Sequence, residues 1–134
     1  MDQITKDIWI GNFNDASDLP ALKENGIQSI LCLDGCLAET NAGELGVKWV
    51  EVVQLIDGRG NRPEVFLRAV KILQQMTKKH PPVLVHYHAG QSRSAAVVCK
   101  FLMKEGNRLA GAMKQITSRR KVAIQAGLQE VLDF

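Results

Sequence analysis

Apolar positions in this chain alternate between short unbroken runs and longer stretches with a three- and four-residue spacing. Asp7-Ile8-Trp9-Ile10-Gly11 reads as a short strand ending in a turn, and Asp18-Leu19-Pro20-Ala21-Leu22 as a capped helix start with proline in its first turn, stopped by Gly26. Ser29 to Leu33 is a continuous apolar run of the kind buried on both faces, and Val47 to Val53 gives another strand. From Pro63 the period changes: Val65, Phe66, Ala69, Val70, Leu73 and Met76 recur on one helix face until His80-Pro81-Pro82 ends it. Val83-Leu84-Val85 follows as a buried strand, residues 87 to 93 as a loop, and Ser94 to Met103 as an almost fully buried helix. Leu109, Ala112, Met113 and Ile116 mark one more amphipathic helix, and Leu128, Val131 and Leu132 a short terminal one. Strands alternating with helices predict an α/β fold, a central mostly parallel sheet flanked by helices on both faces. With no repeat, low-complexity tract or linker, residues 1–134 are expected to form a single domain.

Composition narrows the possibilities without naming a function. The chain has 46% hydrophobic and 23% charged residues, close to the globular average. It lacks both a long apolar run and a basic-then-apolar leader, so it is expected to be soluble and cytoplasmic, with no membrane partner. Cys32, Cys36 and Cys99 are an odd number without ligand spacing, which favours core thiols over disulfides or a metal site. The net charge of +3 is mild and gathers only at Lys78-Lys79-His80 and Arg119-Arg120-Lys121. Either cluster could meet an anionic partner, but solvated helix ends are the favoured reading of both. Aromatic residues, at 5%, are too few for base-stacking platforms, so a nucleic-acid partner is not expected.

The chemistry lies in His86-Tyr87-His88-Ala89-Gly90-Gln91-Ser92-Arg93-Ser94. A buried strand running through a small-residue loop into a helix places backbone N–H groups and a helix N-terminus around an anion. Arg93 adds a planar fork of donors suited to phosphate oxygens. This is an oxyanion cradle, and it lacks the lysine of a GxxxxGK[ST] nucleotide loop.

The segment resembles the HCxxGxxRS signature of dual-specificity protein phosphatases, with His86, Gly90, Arg93 and Ser94 in their expected places. Tyr87 stands where that family has its cysteine nucleophile. The opening Asp7-Ile8-Trp9-Ile10-Gly11-Asn12, with Leu22 to Ile27, is similar to the family's first strand and helix, so the resemblance spans nearly the whole chain. It implies a dual-specificity protein tyrosine phosphatase-like fold and a phosphate-binding loop of His88, Ala89, Gly90, Gln91, Ser92 and Arg93. It further implies that Arg93 holds the phosphoryl group and transition state, that Asp57 is the general acid, that Ser94 sits near the nucleophile or caps the helix, and that His86 supports the loop through hydrogen bonds. For Asp57 the competing reading is a plain Asp-Gly turn, and Arg59 either adds positive field or is solvated. No metal or organic cofactor is implied.

In the family's reaction a thiolate attacks phosphorus and the phosphocysteine is then hydrolysed. A thiol at a helix N-terminus ionises easily from a starting pKa of about 8.5, whereas a phenol starts near about 10 and is bulkier. Neither His88, one place along, nor Cys99, well inside the following helix, is positioned to substitute. The expected function is therefore a phosphatase-like domain with little or no turnover that binds a phosphorylated protein, another phosphate monoester or a protein partner. The alternative is an active phosphotyrosine, phosphoserine and phosphothreonine phosphatase whose cysteine was replaced by an engineered or incidental change at position 87. A third reading is a scaffold whose loop binds nothing.

Overall fold

The computed structural model describes residues 1–35, 40–55, 62–87 and 92–120. In chain order these form β1 (Asp2–Thr5), β2 (Ile8–Gly11), α1 (Phe13–Ser17), α2 (Leu19–Glu24), β3 (Ser29–Cys32), α3 (Ala42–Leu45), β4 (Trp49–Val52), α4 (Pro63–Lys79), β5 (Val83–His86), α5 (Ser92–Lys104) and α6 (Leu109–Thr117). The expected terminal helix around Leu128 lies outside the described residues.

The strands make one five-stranded sheet in the order β1-β2-β5-β3-β4. The three pairings beyond β1–β2 are parallel, and β1 runs antiparallel to β2. Every position of β3 and β5 is buried, because central parallel strands are covered on both faces. Successive side chains leave a strand on opposite faces, so the sheet divides two cores. Leu31, Val83 and Val85 pack with Phe66, Val70 and Leu73 of α4 and with α5 and α6. Ile30, Cys32 and Leu84 pack on the other face with Ala16, Leu22 and Leu45 from the three short helices.

The long helix α4 buries Phe66, Ala69, Val70, Leu73 and Met76, the face that the spacing predicts. Helix α5 is central: Ala95 through Cys99 are all fully buried. Three elements lie beyond what the pattern predicts. β1 has a single apolar residue in the core, Ile4, and exists as a strand because β2 supplies a pairing edge. α1 and α3 are too short to propagate alone and are set by their caps. The Asn12 side chain accepts from the Asp15 N–H while Asp15 accepts from the Asn12 N–H, and the Asn41 side chain accepts from the Glu44 N–H.

One charge reading is corrected by the structure. Lys78 and Lys79 do sit in the last turn of α4 as expected. Arg120 is not a solvated helix end: its Nη1 donates to Asp2 Oδ2 at 2.8 Å and to the Ile10 carbonyl at 3.1 Å, and its side chain is 14% exposed. It ties the end of α6 to both β1 and β2. Among the described residues, no helix is long and apolar enough to cross a membrane.

Candidate functional site: the carboxyl edge of the sheet

In parallel sheets, sites form beyond the carboxyl ends of the strands, where the loops diverge. Here the register places Gly11 at the end of β2 opposite His86 at the end of β5, and His86 opposite Cys32 at the end of β3. Strand β5 ends at this point with His86, and α5 begins at Ser92. His88, Ala89, Gly90 and Gln91, together with Asp57 and Arg59, lie outside the described residues. The placement of Asp57 as general acid is therefore an expectation of the sequence.

What the structure brings together is His86, Tyr87, Arg93 and Ser94. Tyr87 is 5% exposed and belongs to the main core, because it still follows the inward alternation of β5. The Arg93 guanidinium carbon lies 4.8 Å from the centroid of its ring. At that separation the cation is attracted by the negative face of the aromatic quadrupole.

Around this pair are buried polar atoms without hydrogen-bond partners among the described residues: Arg93 Nε, Ser94 Oγ and both ring nitrogens of His86. Buried polar groups are nearly always satisfied, so such a concentration marks a place built for a ligand or for water. Helix α5 starts at Ser92, which puts Ser94 in the first turn rather than at the cap position, and its unpartnered hydroxyl does not act as a cap. The loop hydrogen bonds expected of His86 are likewise not made to any described residue.

The electrostatics of His86 follow from its position. Burial pushes the imidazole down to about 4, and only in part do the carboxylates of Asp34 and then Asp15 pull it back up. The ring is neutral at pH 7. Asp15 is held near it by the Asn12 capping interaction and by the N-terminal ammonium at 3.1 Å. Gly11 permits this, since a Cβ there would stand 2.7 Å from Asp15 Oδ2.

Sequence reasoning missed Cys32, Asp34 and Asp15 as members of this region. The Cys32 thiol donates to the Asp34 carbonyl at 3.1 Å and to its carboxylate at 3.3 Å, while Cys32 itself is fully buried. The available signal was positional: Cys32 ends a run read as a buried parallel strand, and such strand ends converge on the site. Cys99, by contrast, is buried within α5, and burial raises its thiol to about 11. It is a packing residue, as the sequence suggests.

A doubly covered, mostly parallel sheet thus carries Arg93 in the first turn of the helix at its carboxyl edge. Residues 8–132 match the family model for the dual specificity phosphatase, catalytic domain, and the chain belongs to the dual-specificity phosphatase family. It is 31% identical over 121 residues to Dual specificity protein phosphatase 1 of Arabidopsis thaliana, covering 90% of this chain and 60% of that protein. It is 33% identical over 117 residues to Protein-tyrosine-phosphatase IBR5 of the same plant, covering 84% of this chain and 41% of the relative. The chain thus spans less than two thirds of the length of these relatives.

Among solved structures, the human tyrosine phosphatase-like serine/threonine/tyrosine-interacting protein superposes with a TM-score of 0.83 at 25% identity, covering 99% of this chain and 93% of the other. A mouse putative dual specificity phosphatase complexed with zinc tungstate gives 0.86 at 22% identity, covering 98% and 83%.

Proposed function

We propose that this domain is a catalytically silent member of its family that uses the carboxyl-edge cradle to bind phosphorylated protein or a related phosphate monoester. The observation that carries the reading is the burial of Tyr87 in the core with Arg93 resting on its ring, at the residue that the signature resemblance aligns with the family's nucleophile. A phenol is bulkier than a thiol and is not the readily ionised sulfur nucleophile that the family's reaction uses. A phosphotyrosine ester formed there would also leave poorly in the second half-reaction.

The parts that bind rather than react support the same reading. Arg93 offers a forked donor set to two phosphoryl oxygens, and the first turn of α5 adds the positive end of a helix dipole. Neutral His86 adds no charge at pH 7, so the cation that meets the anion is Arg93. The human structural relative is described as phosphatase-like and as an interacting protein, which fits a domain that binds without turning over.

Retention of His86, Arg93 and Ser94 around one altered position favours a second reading, a phosphatase lacking only its nucleophile. The test of the binding reading is thermal denaturation and calorimetry with sodium tungstate and with a phosphotyrosine peptide. A saturable stabilisation lost in Arg93→Ala is expected. Equal response of the wild type and Arg93→Ala, or none in either, would mean that the cradle is not the binding site.

A further inference from the structure

A cleft of about 390 Å³ opens away from the cradle, lined by Gln3, Ile4, Thr5 and Lys6 from β1 and its turn, and by Gln115 and Arg119 at the end of α6. It is held together by Gln115, whose Nε2 donates to the Ile4 carbonyl at 3.3 Å. Thr5 pairs with Ile8 at the start of β2, whereas the cradle lies beyond Gly11 at its end, so the two sites occupy opposite directions along the sheet.

Its charge is one-signed. Lys6 and Arg119 are exposed on the two walls and make no ion pair with any described residue, and no carboxylate is among the lining side chains. Of the basic run at 119–121, Arg120 is consumed by Asp2 and the Ile10 carbonyl, which leaves Arg119 to the cleft. One wall is also an edge strand: among the described residues β1 pairs only with β2, and its short, irregular ladder shifts register between Gln3 and Thr5. Short irregular edges resist indiscriminate strand pairing, and the Ile4 carbonyl on this one is taken by Gln115, so a partner meets this wall through side chains.

We propose that this cleft docks an acidic segment of a partner protein, with a carboxylate side chain seated between Lys6 and Arg119. Two unneutralised cations on facing walls, with no carboxylate between them, select that chemistry, since charge complementarity chooses the sign. The cleft volume is in the range that encloses a small group rather than a docked helix.

The test is fluorescence anisotropy of a short labelled Asp/Glu-rich peptide, with amide chemical shifts mapped by NMR. The expected result is binding that weakens with salt, shifts centred on Gln3 to Lys6 and Gln115, and a loss of about tenfold or more in K6E/R119E. K23E/K104E makes the same change of charge at exposed lysines elsewhere and should bind within about twofold of the wild type. Equal losses in the two double variants would overturn the proposal by reducing the effect to net charge. Binding to phosphatidylserine vesicles with none to the peptide would overturn it in favour of a membrane surface.

Discussion

The guanidinium carbon of Arg93 lies 4.8 Å from the ring centroid of Tyr87, so the arginine proposed to hold the anion is engaged by a buried aromatic side chain. An incoming oxyanion must compete with that contact. A cation over an aromatic face is worth about 0.5 to 2 kcal/mol, the upper end when desolvated. Tyr87→Val is expected to raise tungstate affinity by about 2- to 30-fold while lowering stability, and Tyr87→Phe to leave affinity within about twofold because the ring face remains. Isothermal titration of the two variants decides this; a Tyr87→Val protein that binds no tighter removes the stack from the account.

His86 makes stability depend on pH in a defined window. Its folded pKa of about 4 lies below the ordinary imidazole value of 6.5, so the unfolded chain binds more protons between these limits. The contribution is fully present above pH 6.5, is lost progressively as the pH falls toward 4, and amounts to about 3 kcal/mol. Urea denaturation across this range should show a shallower slope in His86→Asn than in the wild type. Parallel slopes would mean that the imidazole is not buried in its neutral form.

Arg120 joins the end of α6 to the first two strands through Asp2 and the Ile10 carbonyl. An exposed ion pair would contribute little, but this arginine is 14% exposed and satisfies a backbone acceptor as well. Arg120→Ala is expected to cost about 1 to 3 kcal/mol, measured by the denaturant midpoint, and Asp2→Asn less. A change within about 0.5 kcal/mol for Arg120→Ala would place it among ordinary surface charges.

Cys99 should be chemically inert in the folded protein. It is fully buried with a thiol raised to about 11, so iodoacetamide at pH 8 is expected to label it only after unfolding. Rapid labelling under native conditions, read by mass spectrometry of the peptide, would contradict its placement in the packed face of α5.

The parts of this fold legible in the sequence are those whose signal is local. The face of α4, the buried run of β5 and the dense apolar helix after the loop each carry their own period, and Arg93 opening that helix stands out as a cation needing an anion. What escaped depends on distant partners. β1 is a strand because β2 lies beside it, and α1 exists because Asn12 and Asp15 cap one another. Asp15 and Asp34 reach His86 only through the sheet register and the turns that follow β2 and β3. The pairing of Arg120 with Asp2 joins opposite ends of the described chain, and no spacing rule encodes it.

The central claim is that Tyr87 silences a phosphatase domain whose remaining binding parts persist. It is tested most directly by hydrolysis of para-nitrophenyl phosphate by the wild type, Tyr87→Cys and Arg93→Ala under identical conditions. The account predicts no turnover by the wild type above the Arg93→Ala background, with turnover appearing in Tyr87→Cys. A wild-type rate that Arg93→Ala abolishes would contradict it.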